Sequence, residues 1–361
     1  MIGARLKLAR AAADLSLRGL SEAMDGLVTA QAIGKYERDE AMPSSNVLLA
    51  LTRPLGVTVD YLLSENVLTL EGVDFRKKPS ASRREEAQVE ARVIHCVGQY
   101  LALEEALGLD SAQWEKPKHS PYPVRQIVEA ESVAERVRAD WDLGISPIAN
   151  LVELLEEHGL KVICEKLAEN IAGMTATVRR EYGEPIPVII VNCTHSGERQ
   201  RFTLAHELGH ILMEPIRLSE NEAEKAAHYF AGAFLMPAET LWDEIGKNRQ
   251  DISLGELFNL KKVLGVSVQA IAYRCKDLGI IGQAAFGRLY DEFKRLGWRD
   301  PPYQEPFERE AESAKRLQRL CFRAVQEQLI TESRAAEALG ISVRDLDRHM
   351  SAPWEMVVAD G

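Results

Sequence analysis

The chain has 361 residues, enough for two or three domains. Its 46% hydrophobic and 27% charged residues are ordinary for soluble globular protein. No apolar run approaches the roughly 20 residues that span a bilayer, and Met1-Ile2-Gly3-Ala4-Arg5-Leu6-Lys7 lacks the apolar core of a signal peptide, so no membrane partner is expected. A net charge of −11 does not advertise nucleic-acid binding by the whole molecule, so any DNA contact must be local. The five cysteines (Cys96, Cys164, Cys193, Cys275, Cys321) are scattered, odd in number and never spaced CxxC. That pattern argues for a reducing, cytoplasmic compartment and against a disulfide framework or a cysteine zinc site.

Residues 1–66 read as short helices with tight turns. Leu6, Leu8, Ala9 and Ala12 form a helical stripe, and Ser16 begins a second helix with Leu17, Leu20 and Ala23 apolar. After a turn at Asp25-Gly26, Thr29 is an N-cap for a third helix through Ile33 and Tyr36. Pro43 starts a fourth with Leu48, Leu49 and Leu51, and residues 56–63 close the unit. Helix, turn and helix at this spacing is the helix-turn-helix pattern. The segment resembles the repressor-like (XRE) helix-turn-helix family in Arg5-Leu6-Lys7-Leu8-Ala9-Arg10, Asp14-Leu15-Ser16, Ile33-Gly34-Lys35-Tyr36-Glu37-Arg38, Met42-Pro43-Ser44 and Leu55-Gly56-Val57 with Asp60-Tyr61-Leu62-Leu63. The resemblance implies a recognition helix at 28–37 and DNA-facing roles for Thr29, Gln31, Lys35 and Arg38, with Gln31 and Lys35 outward. Leu17 departs from the family's frequent Gln, and Ala30 replaces a frequent polar residue. Residues 1–65 carry 7 Lys/Arg against 8 Asp/Glu, a net of −1 and a weak footprint for phosphate neutralisation. The competing reading is a helical module for dimerisation or partner docking. Repressor-type domains usually work as dimers on two half-sites, so a homodimer is among the expected assemblies.

Residues 67–125 read as a basic linker and a connecting helix. Arg76-Lys77-Lys78-Pro79-Ser80-Ala81-Ser82-Arg83-Arg84 has five positive charges and no acid, the mark of an exposed linker. A helix is expected from about 85 to 107, followed by a proline-rich loop at 116–123. In the next segment, residues 126–305, Val133, Val137 and Trp141 line a helix, and Pro147-Ile148 opens a second that closes at Gly159. Residues 160–164, 173–178 and 187–192 read as strands. The order predicts an α+β domain with a small three-stranded sheet on helices, in a chain that is mostly helical.

Residues 202–210, Phe-Thr-Leu-Ala-His-Glu-Leu-Gly-His, hold His206 and His210 four apart with Glu207 after the first. On a helix both imidazoles lie on one face and can grip one metal ion, while Glu207 can reach a water without ligating. This is the HExxH arrangement of zinc peptidases, with Glu207 as general base. A catalytic zinc needs a third protein ligand, and the next helix offers Glu220, Glu222, Glu224 and His228. Were Asn221 an N-cap, Glu224 would be a capping-box residue instead. The strand at 187–192 is expected to pair with an extended substrate.

Together with Glu224-x-x-Ala227-x-x-Phe230-Ala231, Phe234-Leu235-Met236-Pro237, Leu260-Lys261, Leu264-Gly265-Val266-Ser267-Val268, Ala272-Tyr273-Arg274, Leu278-Gly279-Ile280-Ile281 and Leu296-Gly297-Trp298-Arg299, this motif resembles the ImmA/IrrE family of metallopeptidases. The resemblance implies zinc as cofactor and Glu224 as third ligand. His228 stands where the family commonly has Asn or Asp. Residues 306–361 read as a helical, charged C-terminal module with a second helix-turn-helix cadence at Ala335–Ser342, taken as a packing or partner module. The expected function is a cytoplasmic zinc endopeptidase with its own DNA-binding domain. By the resemblance, it would cleave a repressor-type transcription factor or antitoxin-like partner and so derepress stress, mobile-element or toxin–antitoxin genes. The alternative is a non-proteolytic regulator or antitoxin that uses the peptidase fold as a sensor or as a surface for a cognate toxin.

Overall fold

In the computed structural model, which describes residues 2–63, 68–72, 83–109, 114–180, 183–300, 303–313 and 315–351, the N-terminal segment folds into five short helices. They are α1 (Gly3–Ala12), α2 (Leu17–Ala23), α3 (Ala30–Glu37), α4 (Ser45–Leu55) and α5 (Val59–Leu63). Leu6, Leu20, Ile33, Leu51 and Leu62 converge to form their core. Ser16 and Thr29 cap α2 and α3 by accepting from Gly19 N and Ala32 N, as the sequence implies. The fourth helix starts after Ser44 rather than at Pro43. Arg10 ties α1 to α3 through a two-pronged pair with Glu37, at 2.5 and 3.0 Å.

Strand β1 (Leu68–Glu71) and the 24-residue helix α6 (Arg83–Ala106) follow. The basic run beginning at Arg76 falls largely at 73–82, outside the described residues. The first domain docks on α6: the Arg5 guanidinium sits 5.0 Å over the Tyr61 ring, and that ring meets the His95 ring edge-on at 5.1 Å. The proline-rich loop contains a cis Ser120–Pro121 bond and leads into β2 (Tyr122–Val124). Next come α7 (Glu129–Asp140) and α8 (Leu151–Glu157). The latter follows an Asn150 cap and begins at Leu151, four residues later than Pro147 suggests.

Strands β3 (Lys161–Glu165), β4 (Gly173–Arg180) and β5 (Ile186–Asn192) join β1 in one sheet of order β1-β4-β5-β3. The sheet thus has four strands rather than three, because Leu68–Glu71 adds itself antiparallel to β4. All seven residues of β5 are buried. Val188 and Ile190 face α6, while Ile189 and Val191 face the main core on the other side. Against that second face lie α9 (Gly197–Leu212), β6 (Met213–Pro215, parallel to β2) and α10 (Glu220–Leu235). Helices α11 (Ala238–Ile245), α12 (Leu254–Leu264), α13 (Val268–Asp277) and α14 (Gln283–Arg295) complete that layer.

Residues 303–313 carry no helix, although the sequence suggests helix from about 306. They form a strap held by buried charges: Glu305 accepts from Lys261 Nζ at 3.1 Å and from Val268 N at 2.9 Å, and Glu312 pairs with Arg201 and accepts from Leu151 N. Helices α15 (Lys315–Gln326), α16 (Glu332–Leu339) and α17 (Val343–Ser351) then pack on α6 around Leu103 and Cys321. In α16, Glu337 accepts from Thr58 N at 3.1 Å and from Gln99 Nε2 at 2.8 Å, so this module touches both the first domain and α6. No described helix is long and apolar enough to cross a membrane.

Candidate metal centre

Helix α9 carries His206, Glu207 and His210 along a face held in place from every side. Its cap, Ser196, accepts from Arg199 N. Near its start, Glu198 is buried and paired with Lys261 Nζ at 2.9 Å, and accepts from Arg309 N at 2.7 Å. One turn on, the buried Arg201 pairs with Glu312. Leu204, Ala205, Leu208 and Leu212 point into the main core. At Gly209 the partner helix comes so close that a Cβ would sit 2.9 Å from Phe230 Cδ1, tighter than carbon contacts allow. This glycine lets α10 approach, and α10 brings Glu224.

The three donor groups meet. His210 Nε2 lies 3.1 Å from His206 Nε2; Glu224 Oε2 lies 3.2 Å from His206 Nε2, and Glu224 Oε1 3.6 Å from His210 Nε2. Ligands about 2.1 Å from a tetrahedral zinc are about 3.4 Å apart, so the separations and the two-nitrogen, one-carboxylate donor set fit zinc. His206, His210 and Glu224 are the sole group of three or more metal-competent side chains clustered this tightly among the described residues. Burial pulls the His206 imidazole down to about 4, against the hydrogen bond to the Glu224 carboxylate that raises it, so at neutral pH it is in the uncharged form that ligates. Its Nδ1 is buried without a partner. The His228 ring stands edge-on to His206 at 4.5 Å, and its own Nδ1 lies 3.3 Å from Glu224 O.

One competing ligand candidate, Glu222, is used elsewhere. Ser219, rather than Asn221, caps α10, and Glu222 closes the capping box: its carboxylate accepts from Ser219 N at 2.8 Å while Ser219 Oγ accepts from Glu222 N. This frees Glu224, half a turn on, from the capping role.

His206 and Glu224 line a cleft of about 1470 Å³, whose wall also includes Glu207, His195, Tyr273 and the strap residues Tyr303 and Glu308. Glu207 is nearly buried and abuts the start of β4: a Cβ on Gly173 would lie 3.6 Å from Glu207 Cγ and 2.5 Å from Thr203 Cγ2. The expectation that β5 pairs with substrate fails, because β5 is bonded on both sides, to β4 and β3. Among the described residues, a stretch of β4 is left uncovered on the β1 side. Asn192 N donates to Ala172 O, so by antiparallel alternation Gly173 and Thr175 turn their backbone groups away from β5. Strand β1 reaches only as far as Thr177, and no other strand among the described residues covers Gly173 and Thr175. Sequence reasoning missed this edge, although the unbroken apolar run of β5 already marks an interior strand.

In the first domain, Gln31 and Lys35 are exposed on α3. Thr29 is exposed too, with its hydroxyl engaged in the cap. Arg38 pairs with Glu40, Nε to Oε1 at 2.7 Å, which neutralises it.

Two family models match the chain. Residues 155–276 match that of peptidase M78, described as the IrrE N-terminal-like domain, and residues 6–62 match one described as helix-turn-helix. The comparison with curated proteins gave no match. In N-to-C order, then, the chain joins a segment similar to the helix-turn-helix family to one similar to the IrrE N-terminal-like peptidase family.

Proposed function

We propose that the chain is a cytoplasmic zinc-dependent endopeptidase that uses its helix-turn-helix domain to reach DNA and cleaves a repressor-type protein there. The observation that carries the enzymatic part is the meeting of His206 Nε2, His210 Nε2 and a Glu224 carboxylate oxygen at mutual distances of 3.1–3.6 Å, with Glu207 on the wall of the same cleft. His206, His210 and Glu224 would hold the zinc. When bound, zinc supplies Lewis acidity, lowering the pKa of water and polarising the scissile carbonyl.

The rest of the chemistry belongs to the protein. Glu207 takes a proton from water and hands it to the departing amine, a role typically worth ~10²–10⁴-fold. Gly173 and Thr175 offer the backbone N–H and C=O groups on which an extended substrate segment forms a further strand, running antiparallel to β4 in line with β1. That edge begins beside Glu207, so the substrate backbone is delivered to the base. The choice of a repressor as substrate rests on the fusion of the two segments, since a DNA-binding domain would bring the cleft to an operator where such a target sits.

The test is to purify the protein, measure its metal, and incubate it with the repressor encoded beside its own gene, following fragments by mass spectrometry. Zinc together with cleavage that Glu207→Gln abolishes is the expected result. Zinc with an intact neighbour removes the repressor as substrate, and no metal removes the enzyme.

A further inference from the structure

Two cysteines, Cys164 and Cys193, have no part in the metal centre, and the second directly precedes the cleft-lining residues Thr194, His195 and Ser196. Strands β3 and β5 pair in parallel with Cys164 opposite Val191. Residues two apart on a strand share a face, so Cys193, just past the end of β5, follows on the side of the sheet that carries Val191 and Cys164. Cys193 N donates to Glu165 O at 3.0 Å, which fixes the two segments level with each other. On this face the Cys164 thiol donates to Gln200 Oε1 at 3.7 Å, and Gln200 Nε2 donates to His195 O at 2.7 Å. Both cysteines are exposed, whereas Cys275 and Cys321 are buried.

From this arrangement we propose that Cys164 and Cys193 form a redox site, a dithiol that a hydroperoxide converts into an intramolecular disulfide. The Cys193 thiolate attacks the O–O bond; the alcohol, or water for hydrogen peroxide, leaves, and Cys193 becomes a sulfenic acid. The Cys164 sulfur then attacks that sulfur. The S–S bond forms, and the hydroxyl departs as water with the Cys164 proton. Two thiols lose two electrons, and the peroxide bond takes them. Cys164 is the poorer of the two at opening the reaction, since burial first and then the neighbouring Cys193 hold its thiol up at about 11, where little thiolate exists to attack the peroxide; it gives up its proton as its sulfur meets the sulfenic acid.

Closing the bond moves the cleft wall. A disulfide holds its two Cα atoms ~4.4–6.8 Å apart and fixes the torsion about the S–S bond, a constraint that two separate thiols do not impose. Strand β3 is held by its ladder to β5. Cys193 instead opens the turn Cys193-Thr194-His195-Ser196, so the turn is the part that yields. Thr194, His195 and Ser196 line the cleft, and Ser196 caps α9. Oxidation also removes the proton that Cys164 donates to Gln200, the side chain that holds His195 O. The site is defined whether or not the cleft hydrolyses peptides.

The test treats the full-length protein with hydrogen peroxide, blocks the remaining thiols by alkylation without a reductant, and maps the digest by mass spectrometry. The expected product is one peptide pair joined through Cys164 and Cys193, an intact mass lower by two hydrogens, and three alkylated thiols, the five free cysteines less the two joined. Cys193→Ser abolishes the cross-link and Cys96→Ser does not. The proposal is overturned if all five thiols stay alkylatable, if Cys193 goes on to sulfinic acid with no link to Cys164, or if the cross-links join other cysteines. Mapping on the wild-type protein decides this even if a serine variant fails to fold.

Discussion

The candidate metal centre and α3, the proposed recognition helix, place their side chains in opposite ways. His206, His210 and Glu224 come from two helices pressed together at Gly209 and Phe230, with buried charges at Glu198 and Arg201 fixing the helix that bears the histidines. On α3, Gln31 and Lys35 simply stand out from one short helix into solvent, and Arg38 is already paired with Glu40. A site that must hold one ion needs donors placed to fractions of an ångström and is built into a core. A surface that meets a charged polymer needs exposure and can tolerate loose side chains. Substitutions should therefore act steeply in the first region and shallowly in the second.

The largest effect is expected at the base. Glu207→Gln should lower kcat/KM for peptide cleavage by ~10²–10⁴-fold while the zinc content is unchanged, and a variant that stays active would remove Glu207 from its role. Next comes the contrast within α10. Glu224→Ala should weaken zinc binding by more than the ~10–100-fold typical of outer-shell changes. Glu222→Ala, by contrast, should leave zinc in place and lower the melting temperature slightly through the broken capping box. Equal zinc affinity in the two variants would mean that the third ligand is misassigned.

A third prediction concerns the buried ionic cluster that joins α6, α8, β3 and α15. Glu104 pairs with Lys161 at 2.7 Å and with Arg316 at 2.9 Å, and Tyr100 donates to Glu156 at 3.1 Å. Burial pushes the Glu156 carboxyl up to about 7, from an ordinary value near 4.5. A raised acid favours folding in its protonated form, so this stability is full below pH 4.5 and is lost as the pH rises through 7. Glu156→Gln should gain stability over wild type, on the order of 2–3 kcal/mol, at pH 8 but not at pH 4.5, as read by urea unfolding. A gain that does not change with pH would show that Glu156 does not titrate in this way.

The smallest effects should fall on α3. Lys35→Ala is expected to weaken DNA binding about tenfold and to flatten its salt dependence by about one unit of slope. Arg38→Ala, already neutralised by Glu40, should change it less than about twofold. The reverse order would move the recognition surface to the end of the helix.

How far the sequence reveals these features follows from how local each one is. His206, Glu207 and His210 sit within five residues, and helical spacing alone sets them on one face. The helix starts at Ser16 and Thr29 are likewise read from short patterns. Choosing Glu224 over Glu222 depends on where α10 begins, which Ser219 decides by a capping box that competes with a second plausible start at Asn221. The fourth strand is four residues long and pairs with β4 more than a hundred positions away, so its role is invisible in its own letters. The strap is similar: Glu305 and Glu312 find their cations, Lys261 and Arg201, only through the tertiary fold. Gly173 carries no sequence pattern, and its importance appears only when β4 lies against α9.

The most direct measurement is the zinc content of the purified protein by elemental analysis, for wild type and for Glu224→Ala side by side. The account predicts one zinc per chain in the wild type, retained in Glu207→Gln and lost in Glu224→Ala under the same dialysis. A wild-type protein that takes up no zinc, or a Glu224→Ala variant that keeps a full equivalent, would contradict it.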